Sequence, residues 1–300
     1  VTAHRLLGLT LCLAACAAAG GDDGGSAGGG KADGSGTTGL DADQKKVAEE
    51  LTSIWENDTP VLDYAYSENI GDGRGYTSGR AGFCTGTGDA IQVVACYDDA
   101  VPGNAMAKYM PGLQTIDARY QATGDDQAST AELDSIGNWP ADWAASAADP
   151  AFRVCQDKIV DRLYYGPAMQ AADKYGIQSA LAKAAIYDMW INQGDDTLIK
   201  KANAALAGRT FSEDEWLAQF LIARRDLMWA DATWKQAVDR VAGYEKQRRA
   251  GNWDLSLSIR NDVRARDCWG APYTSSGYTI REIEPDGTWS TPTATTYSCK

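Results

Sequence analysis

Between Gly71 and Gly88 a glycine recurs at every second to fourth position, in G-D-G-R-G-Y-T-S-G-R-A-G-F-C-T-G-T-G. No long helix or strand suits that density, because glycine loses more backbone freedom on folding than any other residue and brings no side chain to pack. The chain must form tight turns and short extended pieces here, held by whatever flanks them. Upstream, Val47, Leu51, Ile54 and Trp55 recur at spacings of three and four. That predicts a helix capped by Asp41 or Asp43 and ended by Thr59-Pro60. Glu56 falls in its last turn, Asp72 in the glycine-rich turn, and the hydroxyl of Thr77 five residues further on. Two carboxylates held apart by a helix end and a turn suit general acid/base cleavage of a glycosidic bond. The turn is not a phosphate loop, since it lacks the Walker lysine and hydroxyl and the GxGxxG spacing.

Composition narrows the chemistry further. The sole histidine, His4, lies in a segment expected to be removed, so the remaining chain has no imidazole for a Ser-His-Asp triad, a Cys-His pair or a histidine-ligated zinc. Neither a cofactor nor a metal is expected. The net charge of −13 argues against nucleic acid and favours a cationic partner.

The N-terminus reads as an export signal. His4 and Arg5 precede the apolar run Leu6 to Leu13, which is too short to span a bilayer. Leu13-Ala14-Ala15-Cys16 resembles the bacterial lipobox, in which the cysteine is lipidated; an ordinary secretory signal is the alternative. Residues 1–15 are thus a signal peptide. Residues 16–40 follow as a Gly-, Ala- and Ser-rich tether, with an r.m.s. reach of roughly 25–30 Å. Ala17 after the cysteine is not acidic, which favours an outer membrane if the source is Gram-negative.

Folded sequence occupies residues 41–255. Residues 61–83 read as short extended segments and turns. A helix follows Thr87-Gly88-Asp89 through Ile91, Val94 and Tyr97, with Asp89 as its first-turn acid. Helical pattern resumes over 105–120. Residues 121–149 read as a loop with a short helix, and Arg153 to Tyr175 as a helix interrupted at Gly166-Pro167. Ile177 to Gln193 is apolar all round and predicts a buried helix, in which Asp188 needs a cationic partner; Arg224 and Arg240 are the leading candidates. Further helices fill 195–250. Residues 256–300 alternate Thr, Ser and Tyr and read as a β-rich extension bracketed by Cys268 and Cys299. A disulfide between these two would stabilise by roughly 3–4 kcal/mol. The pairing among Cys84, Cys96 and Cys155 stays open.

The run L-T-S-I-W-E-N … N-I-G-D-G-R-G-Y-T-S-G-R-A-G-F-C-T-G-T-G-D resembles the chitosanases of glycoside hydrolase family 46. The likeness continues through A-V-P-G-N, K-Y-M-P-G-L, Q-D-K-I-V-D-R-L-Y-Y-G-P-A-M, A-I-Y-D-M-W-I and F-L-I-A-R, over about residues 40–255. It implies a mainly α, two-lobed, lysozyme-like fold with a small β-sheet in the minor lobe and a cleft between the lobes. It also implies an endo-acting, inverting hydrolase of the β-1,4 bonds between glucosamine units of chitosan; apart from the resemblance, a monomer is expected. On that resemblance Glu56 is the general acid, Asp72 the general base, and Thr77 helps hold the attacking water. Arg74 and Asp89 match substrate-contacting positions, as do Tyr66 and Glu68, and Asp188, Arg224 and Arg240 match a supporting network. Gln193 departs from the family, where a histidine is common. The alternatives are a muramidase-like peptidoglycan hydrolase and a chitosan-binding surface lipoprotein without activity.

Overall fold

The computed structural model describes residues 39–57, 61–231, 234, 237–256, 259–261, 281–283 and 289–290. His4, Cys16, the signal peptide and nearly all of the tether lie outside the described residues, as do Cys268 and Cys299. The chain divides into two compact units, Glu49–Pro167 and, with the segment up to Ala48, Ala168 onward. Helix α1 (Ala42–Asn57) contributes to both. Asp41 starts it: its Oδ1 accepts from the Gln44 N–H at 2.8 Å, while Gln44 Oε1 accepts from the Asp41 N–H at 3.1 Å. This reciprocal box satisfies two backbone donors at the helix start.

The first unit contains a three-stranded antiparallel sheet in the order β1 (Ser67–Glu68), β2 (Thr77–Ser78), β3 (Phe83–Cys84). Glu68, Thr77 and Cys84 lie opposite one another in register, and Ser67, Ser78 and Phe83 form the neighbouring row. Side chains alternate between faces along a strand, so the two rows face opposite ways. The Ser78 row meets the aromatic core. Trp139 Nε1 donates to Ser78 Oγ at 2.9 Å, and the Phe83 and Trp143 ring centroids are 6.3 Å apart.

That core is supplied largely by helices α2 (Ala90–Ala100), α3 (Met110–Thr123), α5 (Trp139–Ser146) and α6 (Pro150–Val160). The stretch expected as a loop with one short helix holds two, α4 (Thr130–Ser135) and α5. Ser129 and Glu132 form a capping box on α4, and Pro140 sits in the first turn of α5, where no helical N–H is lost. Trp139 and Trp143, one turn apart on α5, are fully buried and pack against Tyr109 and Phe152. Burying each of these large rings contributes roughly 2–3 kcal/mol. Cys96 on α2 is disulfide-bonded to Cys155 on α6, with Cα atoms 5.7 Å apart, and leaves Cys84 a buried free thiol. The expected break near Pro167 takes the form of a π-helical turn, Asp161–Tyr165, leading into α7 (Gly166–Lys174). Proline cannot donate to the carbonyl four residues back and its ring crowds it; a wider turn relieves both problems.

In the second unit α8 (Ala180–Gln193) is buried on nearly every side. Ser179 Oγ accepts from the Ala182 N–H, and Glu213 accepts from the N–H groups of Gln178 and Ser179, so these donors at the helix start are served. Helices α9 (Thr197–Ala205), α10 (Glu213–Ala230) and α11 (Asp239–Ala250) complete this unit. Trp216 stacks on Phe220 and donates to Asn203 Oδ1 at 2.7 Å, joining α10 to α9. Three short antiparallel strands follow, β4 (Ile259–Asn261), β5 (Arg281–Ile283) and β6 (Trp289–Ser290). The mainly helical, lysozyme-like class with a small sheet is the one expected. Among the described residues no helix is long and apolar enough to cross a membrane.

Candidate active site

One face of α1 in the first unit is polar, with Glu49 half-buried and the rest buried. Glu49, Thr52, Ser53 and Glu56 fall at spacings of three and four, and Glu56 is 9% exposed in the last turn. Asp72 lies in the loop between β1 and β2. Its Oδ1 accepts from the Arg74 backbone N–H at 3.0 Å, and its Oδ2 accepts from Arg74 Nε at 2.8 Å and Nη2 at 2.5 Å. Three donors from one residue leave this carboxylate a single rotamer. Arg74 is itself only 8% exposed, so its guanidinium is committed to Asp72 rather than held out to solvent.

The loop that carries the pair is pinned along its backbone. The Gly86 N–H donates to Arg74 O at 2.9 Å, the Thr85 N–H to Tyr76 O at 3.0 Å, and the Ala128 N–H to Gly73 O at 2.7 Å. Two glycines make this closeness possible. Gly75 has φ +84°, and a Cβ there would stand 2.2 Å from Thr85 Oγ1. At Gly86 a Cβ would stand 2.4 Å from the Asp126 carbonyl oxygen. Gly75 and Gly86, within the glycine-dense stretch, are therefore a packing requirement of the Asp72 loop.

Thr77, 1% exposed, lies between Glu68 on β1 and Cys84 on β3, with its Oγ1 3.6 Å from Cys84 Sγ. Glu68 itself is exposed. Tyr66 is half-buried, and its carbonyl accepts from the Gly79 N–H at 2.7 Å. Burial, with the nearby Asp89 charge adding to it, pushes the Cys84 thiol up to about 12, so it stays protonated.

Asp89 caps α2 and is 3% exposed. Its Oδ1 accepts from the Cys84 N–H, the Ala90 N–H and Thr87 Oγ1, all within 2.9 Å. Its Oδ2 is buried without a hydrogen-bond partner. Burial pushes this carboxyl up to about 6, against the opposing effect of the three hydrogen bonds.

The network residues are in the second unit. Asp188 and Arg224 are fully buried and Arg240 nearly so. Arg240 Nη2 is 2.7 Å from Asp188 Oδ1, and Arg224 Nη1 is 2.7 Å from Oδ2 as an ion pair, although its N–H is not aimed along a hydrogen bond. Burial would raise the Asp188 carboxyl; Arg240 and then Arg224 outweigh it and hold it below the ordinary value. Arg224 Nε also donates to Gln193 Oε1 at 3.0 Å, which brings the departure from the family pattern into contact with the network. Arg80 and Tyr64, neither of which was assigned a site role from the sequence, both hydrogen-bond Asp157 within the first unit. Among the described residues no three His, Cys, Asp or Glu side chains are arranged to hold a metal ion.

The sequence model of Glycosyl hydrolase family 46 matches residues 50–259. The chitosanase of Bacillus subtilis (strain 168) is 39% identical over 237 residues, covering 74% of this chain and 82% of the relative. Among solved structures, a native chitosanase from Bacillus subtilis MY002 has a TM-score of 0.66 at 38% identity, over 75% of this chain and 96% of that one. The chitosanase of Gynuella sunshinyii in complex with chitotetraose has a TM-score of 0.65 at 33% identity, over 78% and 98%. By the extent of the family match and the identity to these enzymes, the chain belongs to glycosyl hydrolase family 46.

Proposed function

We propose that the protein is an endo-acting, inverting chitosanase in which Glu56 is the general acid and Asp72 the general base. Glu56 protonates the leaving glycosidic oxygen. Asp72 takes a proton from a water on the opposite face of the sugar, with Thr77 helping to hold that water, and the anomeric centre inverts. Such a reaction needs the two carboxyl groups about 6.5–9.5 Å apart, leaving room for the water. The observation that carries the reading is the Asp72 carboxylate, held in one orientation by three donors from Arg74, as a base that aims a water must be.

Asp89 supports the substrate class. A buried carboxylate with one unsatisfied oxygen is costly, and a glucosamine ammonium is the partner that would complete it. Tyr66 and Glu68 contact sugar beside it, and the net negative charge draws a polycation. Arg74 positions the base. The Asp188–Arg224–Arg240 network supports the catalytic carboxylates. The enzyme acts as a monomer. It is exported and held at the cell envelope by a lipid on Cys16, with residues 17–40 as its tether.

Product analysis on chitosan, chitin and peptidoglycan tests this reading. Oligomers are expected from chitosan alone, with wild type but not with Glu56→Gln or Asp72→Asn. Cleavage of peptidoglycan but not chitosan would replace the substrate assignment with a muramidase one. Palmitate labelling tests the anchor: label is expected in wild type and absent in Cys16→Ser.

A further inference from the structure

Arg80 lies three residues beyond Thr77, in the turn that joins β2 to β3, and is 6% exposed. It reaches two helices. Its Nη2 is 2.8 Å from Glu49 Oε1 on α1, and its Nε is 2.6 Å from Asp157 Oδ1 on α6. Its backbone N–H donates to Gln156 Oε1 at 3.2 Å. The Tyr64 hydroxyl donates to the same Asp157 oxygen at 2.9 Å, and Gln156 Nε2 and Trp143 Nε1 both donate to the Tyr64 carbonyl. One buried cation thus joins α1, the β2–β3 turn, the segment before β1 and α6.

Glu49 stands seven residues before Glu56. At 100° per residue the two lie within about 20° of one helix face and about 10 Å apart along the axis. Arg80 therefore grips α1 on the face that carries Glu56, two turns upstream. A buried ion pair contributes little net stability relative to apolar side chains of similar volume. What it supplies is a defined geometry, because a guanidinium fork donates to its two carboxylates in fixed directions.

We infer that Arg80 is a positioning residue for the hydrolytic reaction: its ion pairs with Glu49 and Asp157 set helix α1, and so Glu56, against the strand and loop that carry Thr77 and Asp72. The inference rests on the acid and base roles proposed above. Displacing a reacting group by about 1 Å costs on the order of 100-fold in rate, so loosening the clamp acts on turnover more than on substrate capture.

The test compares kcat, KM and Tm for Arg80→Met, Arg80→Lys and Glu49→Gln, with Arg153→Met as a control. Arg153 donates to Ala147 O and Ala148 O in the same unit and forms no hydrogen bond or ion pair with the described residues of α1 or the β2–β3 turn. Arg80→Met is expected to lower kcat by about 10–100-fold with KM within about two-fold, on the same displacement scale. Arg80→Lys should recover part of the loss. Glu49→Gln, which weakens the α1 arm alone, should lower kcat by a smaller factor and serves if Arg80→Met does not fold. Arg153→Met should keep wild-type kcat whatever its Tm. Folded Arg80 and Glu49 variants with wild-type kcat, a loss confined to KM, or an equal loss in Arg153→Met would each overturn the clamp. Wild-type activity in Glu56→Gln would instead overturn the site assignment on which it rests.

Discussion

Arg74 grips Asp72 with its own backbone N–H, its Nε and its Nη2, so a residue two positions along the chain fixes both oxygens of the carboxylate. Lysine keeps the charge at that position but not the fork. Arg74→Lys is expected to lower kcat on chitosan by about 10–100-fold, and Arg74→Met by more, with Tm changed by only a few degrees. Steady-state kinetics on the two variants checks this. Unchanged kcat in Arg74→Met would detach Arg74 from the base.

Asp89 separates stability from activity. Its carboxyl titrates at about 6 in the folded protein against 3.8 for the ordinary group, so the folded state holds this proton more tightly than the unfolded chain does. Its contribution to stability therefore declines as pH rises from about 4 through about 6, and the cost is complete above that. Asp89→Asn removes the charge and with it this pH dependence, so its stability relative to wild type should improve as pH rises from about 4 to about 7. The same change removes the anion meant for an amine, so KM for chitosan should rise. A stability difference that does not change with pH, together with an unchanged KM, would contradict both halves.

How much of this was legible in the chain depended on the distance between partners. The helix of Ile177 to Gln193 and the need of Asp188 for a cation are written in local periodicity, because a charge in an all-apolar helix cannot stay unpaired. Trp139 and Trp143 stand among polar residues beside Pro140, which occupies a first helical turn, so the short helix is readable there but the burial of its two rings is not. The Asp72 loop announced itself through its glycines. The reason for them did not, since Thr85 and Asp126 supply the crowding. The Cys96–Cys155 bond required α2 and α6 to be placed side by side. Arg80 and Glu49 are 31 positions apart, beyond any periodic signal.

The Cys96–Cys155 disulfide closes a loop with a sequence separation of 59. On the chain-entropy estimate that contributes about 4 kcal/mol. Cys96→Ala/Cys155→Ala should unfold at markedly lower denaturant concentration, with kcat of the folded protein retained. Equal midpoints for the two proteins would show that the bond adds nothing.

The Asp188 network predicts the opposite pH sign from Asp89. Asp188 is held below the ordinary carboxyl value, so its contribution is present above about pH 4 and is lost as pH falls through its folded-state value. Asp188→Asn leaves two buried guanidinium groups without their anion and should cost about 3–5 kcal/mol at pH 7. Its stability deficit should shrink in acid. A deficit that is independent of pH would place the loss in packing rather than charge.

The central claim is an acid and a base on opposite faces of the scissile bond, and the anomer of the first product tests it most directly. Proton NMR during the earliest turnover of chitosan by the wild-type protein should show the α-anomer of the new reducing end before mutarotation. A β-anomer as the first product would mean retention of configuration, and Asp72 could not then be the base that activates water.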